Sequence, residues 1–144
     1  MKLRPALLAA LVTTATTLSS APAEAVVPVV DEVTVVETYE NAPDTVLVAR
    51  CSLNGTAPGS ATVQGTATLH SSTYTLNFIS ITCTVHQPLA NDWQVSNIQS
   101  GNSVTVNGSG QLLIPTPPWV CVSGQFQVSG GSFIDDYGNA DCVA

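Results

Sequence analysis

After its first 25 residues the chain has no lysine, no methionine and one arginine, Arg50. Nine acids face that single base between residues 26 and 144, so this stretch has a formal charge of −8. Ordinary nucleic-acid binding is thereby excluded, because no set of cations is left to displace phosphate counterions. A polybasic anchor on an anionic membrane is excluded for the same reason. Aromatics are only 6% of the chain and charged residues 9%, so solubility has to come largely from hydroxyl and amide side chains. No apolar run reaches the ~20 residues of a membrane-crossing helix.

The N-terminus reads as an export signal over residues 1–25. Lys2 and Arg4 supply the positive start, residues 5–12 are apolar, and a Ser/Thr/Ala stretch ends in Ala23-Glu24-Ala25, an A-x-A cleavage pattern. Residues 26–144 are then one secreted, extracellular domain, with residues 26–32 as a loose arm or an edge segment because of Pro28. Four cysteines, Cys51, Cys83, Cys121 and Cys142, are an even number in an exported chain, so two disulfides are expected. There is no C-x-x-C, and His70 and His86 form no metal-like spacing with them, so no zinc site and no cofactor is expected.

Residues 26–144 hold 18 valines and 13 threonines against 7 leucines, a bias toward pleated strands over helices. Residues 45–53 alternate, with Leu47, Ala49, Cys51 and Leu53 on one face and Arg50 on the other. Residues 61–69 place Ala61, Val63, Gly65, Ala67 and Leu69 inward, which makes these two segments a hairpin. A first strand is expected over residues 33–39. A turn is expected from Asn54-Gly55 through Gly59. Residues 72–85 switch parity between Phe78 and Ile79, as a bulge would make them do. Asn107-Gly108-Ser109-Gly110 is either a hairpin turn or the middle of one long strand, and both Asn-Gly pairs favour turns over glycan acceptor sites. Residues 119–128 and the stretch from 134 to 142 close the pattern.

The fold class is therefore all-β: an immunoglobulin-like antiparallel sandwich of seven to nine strands, with a small barrel as the alternative. Cys51 and Cys83 lie on apolar faces, whereas Cys121 points away from Val120, Val122 and Phe126. The favoured bridges are Cys51–Cys83 and Cys121–Cys142.

Chemistry-bearing patterns are few. There is no G-x-S-x-G, and Ser71 beside His70 faces the opposite way on a strand. His86 has outward parity. Asp135, Asn139 and Asp141 form a weak calcium candidate without an EF-hand pattern. Trp93, Trp119, Tyr74 and Tyr137 are weak candidates for stacking on a sugar or small molecule. Residues 115–118, rich in proline, are the one loop suited to a protease inhibitor.

The stretches VARCSLNG, ISITCTV, WVCVSG and NADCVA, together with the Ala/Thr-rich leader, resemble small secreted β-rich proteins of actinobacteria. That resemblance implies an extracellular β-domain and names no activity. The acidic, cysteine-bearing sandwich is also broadly similar to the enediyne-carrying apoproteins, but the cysteine intervals of 32, 38 and 21 residues depart from that family's closely spaced pairs. The expectation is a secreted, non-catalytic interaction or structural domain whose partner is an extracellular protein or glycan. A small-molecule or carbohydrate binder is the first alternative, and a protease inhibitor or hydrolase the second.

Overall fold

The computed structural model describes residues 25–40, 42–113, 117–129 and 134–139. They form eight strands: β1 (Val27–Tyr39), β2 (Ala42–Ala57), β3 (Gly59–His70), β4 (Leu76–His86), β5 (Trp93–Ser100), β6 (Ser103–Leu112), β7 (Trp119–Val128) and β8 (Ile134–Gly138). They build two four-stranded sheets, β1-β2-β3-β6 and β5-β4-β7-β8. Every pairing is antiparallel. Among the described residues no helix is long and apolar enough to cross a membrane.

The inner faces follow the alternation of the sequence. Leu47, Ala49, Cys51 and Leu53 of β2, and Ala61, Val63, Ala67 and Leu69 of β3, are all buried. Ile79, Ile81, Cys83 and Val85 of β4 meet them from the opposite sheet, with Val120, Val122 and Phe126 of β7. Truncating one of the fully buried leucines, such as Leu47, is expected to cost about 2–5 kcal/mol. Cys51 and Cys83 are joined across the two sheets, with Cα atoms 5.8 Å apart. Gly65, opposite Cys51 in the β2–β3 register, makes room for the bridge, since a Cβ there would lie 2.5 Å from Cys83 Sγ. Closing a 32-residue interval contributes roughly 3–4 kcal/mol on the loop-entropy model. Cys121 is not a free thiol. Its expected partner, Cys142, lies outside the described residues, as do residues 1–24 of the expected export signal.

Several expectations are corrected. The strand expected from Val33 begins at Val27, so the arm is the first half of a 13-residue edge strand. Pro28 is tolerated there because an edge strand leaves one row of donors unused. The hairpin turn expected from Asn54 is confined to Pro58, because β2 runs on to Ala57. Asn107-Gly108 is inside β6, which is the long-strand alternative and not the hairpin turn. In both cases the asparagine is exposed on the outer face while its glycine faces a packed neighbour, so Asn-Gly marks close approach here. The bulge in β4 exists, but the register shifts between Leu76 and Phe78. Both Leu76 and Ile79 thus reach the core.

The strand order also differs from an immunoglobulin sandwich, in which the second strand lies between the first and fifth and the bridge joins the second and sixth. Here β2 lies between β1 and β3, and the bridge joins β2 to β4. The sheets do not close into a barrel, but one flank nearly does. β5 and β6 are edge strands of opposite sheets, connected through Gly101 and Asn102. Trp93 and Val95 of β5 lie over Gly110 and Gly108 of β6, and a Cβ on Gly110 would sit 2.5 Å from the Trp93 ring. Asn97 Nδ2 donates to Thr105 O across the same gap at 2.7 Å.

Candidate functional site

The β1 N-terminus, the β7 N-terminus and the β4 C-terminus meet at one end of the sandwich. Pro117 and Pro118 cannot donate ladder hydrogen bonds, so the chain arrives extended and β7 begins at Trp119. Trp119 and Cys121 share the outer face of the sheet, opposite in parity to the core residues Val120 and Val122. The β4–β7 register sets His86 against Trp119 and Thr84 against Cys121. His86 and Cys121 are therefore diagonal neighbours, close enough for side-chain contact.

That contact is made. His86 Nε2 lies 3.4 Å from Cys121 Sγ, and the imidazole stacks on Trp119 with centroids 5.2 Å apart and planes 24° from parallel. The other nitrogen, Nδ1, lies 2.6 Å from Asp92 Oδ2. Asp92 Oδ1 accepts the Gln87 backbone N–H at 2.9 Å. That hydrogen bond, more than the one from His86, holds the Asp92 carboxyl below its ordinary range. The loop carrying Asp92 is stitched down by the buried Gln87 side chain, which donates to Asn91 O and Gln111 O and accepts from Leu113 N–H. In the same loop Leu89 is 93% exposed with φ at +63°, a conformation that costs a branched side chain more than it costs glycine.

Beside this cluster runs an apolar groove of about 380 Å³, lined by Val27 to Asp31, Ala57 and Pro117 to Trp119. Val30 is 77% exposed, and Val27 and Trp119 are about half exposed. Asp31 stands at its edge and accepts the Val120 N–H at 2.8 Å. Trp119 belongs to both features, which makes them one site.

The other residues singled out in the sequence lie elsewhere. Trp93 is half-buried on the β5–β6 flank, so the two tryptophans form no common platform. Tyr74 lines a separate cavity with Leu69, Leu76 and Asn102. Tyr137 is buried and donates to Ser80 O. Of the calcium candidates, Asp135 accepts the Asp136 N–H, Asn139 Oδ1 accepts the Val122 N–H, and Asp141 lies outside the described residues. Among the described residues no three acid, histidine or cysteine side chains gather as a metal would require. Arg50 pairs with Glu32 on the outer face of its own sheet.

The His86–Asp92–Cys121 cluster was not visible in the sequence. Parity places His86 and Cys121 outward, but only the knowledge that β4 pairs with β7 makes them neighbours. No known protein family, curated protein or solved structure matches the chain.

Proposed function

We propose that the chain is a secreted, non-catalytic binding module that takes an extended apolar segment of an extracellular protein at the groove beside β1. The observation that carries this reading is the grouping of Val27, Val30 and Trp119, all exposed, around one concave surface next to β1, an edge strand among the described residues. An edge strand offers a row of main-chain donors and acceptors to an incoming extended segment, and an adjacent apolar pocket selects its side chains. The net negative charge favours a neutral or basic partner. Export through residues 1–25 and a second bridge, Cys121–Cys142, belong to the same proposal. The Cys51–Cys83 disulfide is compatible with an extracellular setting.

A carbohydrate ligand is the second reading. Only Trp119 supports it at this site, because Trp93, Tyr74 and Tyr137 point to other parts of the molecule.

Calorimetric titration with extended apolar peptides and with oligosaccharides separates the two. Binding of a peptide, weakened tenfold or more by Val30→Asp, is the expected result. Saccharide binding without peptide binding would transfer the site to the second reading. Binding of either that ignores both Trp119→Ala and Val30→Asp would remove the groove from consideration.

A further inference from the structure

We propose that the partner segment lies antiparallel along β1 and carries a basic residue eight positions from the apolar residue it seats in the groove, with Glu37 and Asp135 receiving the charge. The proposal rests on the reading of the groove given above and adds to it the chemistry of the partner.

The gap between the two sheets on this flank has two unlike ends. At the start of β1 it is the apolar groove, walled by Val27, Val29 and Trp119. At the far end β1 finishes in Glu37-Thr38-Tyr39. There the Tyr39 ring meets Phe126 of β7 edge-on, with centroids 5.8 Å apart. Asp135 of β8 comes to the same place, because the β7–β8 register sets it against Phe126. The Tyr39 hydroxyl donates to Glu37 Oε2 at 3.5 Å. Burial, followed by the charges of Glu37 and Asp135, raises that hydroxyl above its ordinary 10.0, so both carboxylates act on one spot. Two acids from facing sheet edges thus stand at one mouth. Arg50, the single base of residues 26–144 other than histidine, is held by Glu32 on the outer face and does not serve them. Between the two ends Val33 and Val35 pack on the core and are only partly covered. Asp31 already accepts the Val120 N–H.

The inward row of β1 is Val29, Asp31, Val33, Val35 and Glu37. A strand added beside it places every second side chain over this row. Val29 and Glu37 are eight positions apart, an even interval that spans about 26 Å at the rise of a strand. One extended segment can therefore set an apolar side chain in the groove and a basic one between the acids, both on the same face. An odd interval would turn the basic side chain to the outer face. Every pairing in the molecule is antiparallel, so the basic residue precedes the apolar one in the partner. A second copy of β1 does not fit this description. The strand has Asp31, Glu32 and Glu37 and no base, and two copies would set acids against acids along one seam.

The test is calorimetric titration of the exported protein with three synthetic extended peptides. The first has a lysine eight positions before a valine, the second a lysine seven positions before it, and the third norleucine in place of the first lysine. The first and second carry equal charge, so general attraction to an acidic protein cancels between them. The first is expected to bind at least about fivefold more tightly than either of the others. That advantage should vanish in Glu37→Gln/Asp135→Asn and persist in Glu32→Gln, whose charge lies on the outer face.

Equal affinity for lysine at eight and at seven would overturn the proposal, as would an advantage that survives the double substitution. So would a dimer in sedimentation velocity that Val30→Asp dissociates, since a second copy would then hold the strand. If all three peptides bind alike and Val30→Asp weakens each of them, the groove reading stands and the basic position falls. If none binds the wild type, both fall. Unchanged affinity for the norleucine peptide shows that the double variant is folded. If that affinity is lost as well, the comparison of lysine at eight and at seven in the wild type decides.

Discussion

The two flanks of the sandwich solve the edge-strand problem in different ways. On one flank β5 and β6, edges of opposite sheets, are drawn together over Gly108 and Gly110, and Trp93 and Val95 fill the gap. On the other flank β1 runs as a 13-residue edge with no strand partner on its outer side among the described residues, and the facing edge strand, β8, has only five residues. The first flank is closed by side chains packed on glycine. The second is guarded by polar groups: Asp31 takes the Val120 N–H, and Glu32 and Glu37 project from the strand. Inward or edge charges of this kind discourage indiscriminate strand pairing. One flank is therefore closed by packing, and the other carries the groove proposed above as a binding site.

The largest expected effect is on the closed flank. Gly110→Val puts carbon where the Trp93 ring lies, and is expected to destabilise by about 1–3 kcal/mol in denaturant titration. A cost near zero would mean that the two sheets can separate there freely.

Next is Gln87→Leu, which leaves Leu113 N–H and two carbonyls without their partner at the base of the site. About 1–3 kcal/mol is expected from the unsatisfied groups. Loss of peptide binding without loss of stability would contradict the structural role given to Gln87.

On the open flank Asp31→Ala leaves the Val120 N–H without its acceptor, at about 1 kcal/mol, and should raise self-association in sedimentation velocity. Val30→Asp, on the exposed outer face, should change stability by less than about 0.5 kcal/mol. If the two substitutions had equal effects, the guarding role of Asp31 would be lost.

Smallest is the pH dependence, and the two ends of the scale report different places. The Asp92 carboxyl is held below its ordinary 3.8, so its contribution is present at neutral pH and fades as the pH drops below that value. Burial, followed by the charge of Glu37, raises the Tyr39 and Tyr137 hydroxyls above their ordinary 10.0. Their contribution is complete below pH 10 and is lost as the pH climbs beyond it. Circular dichroism against pH should show both slopes.

The inner faces were legible because strand alternation reports burial directly. Residues 45–53 and 61–69 needed nothing further, and Trp119–Val128 is β7 as the pattern suggested. Asn54-Gly55 misled, and Asn107-Gly108 left two readings open, because a glycine that permits a turn and a glycine that permits close packing look alike in one dimension. Pairing between distant segments was out of reach as well. Nothing local brings Trp119 to His86 or Asp92 to the same imidazole, since these meetings depend on β4 lying between β5 and β7.

Arg50 has a further consequence. It is the only lysine or arginine after residue 25, and so the only bond there that a trypsin-like protease would recognise follows it. That bond lies in β2, with Thr34 of β1 on one side and Thr66 of β3 on the other. A protease must engage an extended, unpaired segment, so this bond becomes available only when a central strand of the sheet is released. Digestion would then track the population of the opened domain. Toward proteases of that specificity, the scarcity of basic residues is a form of resistance in its own right.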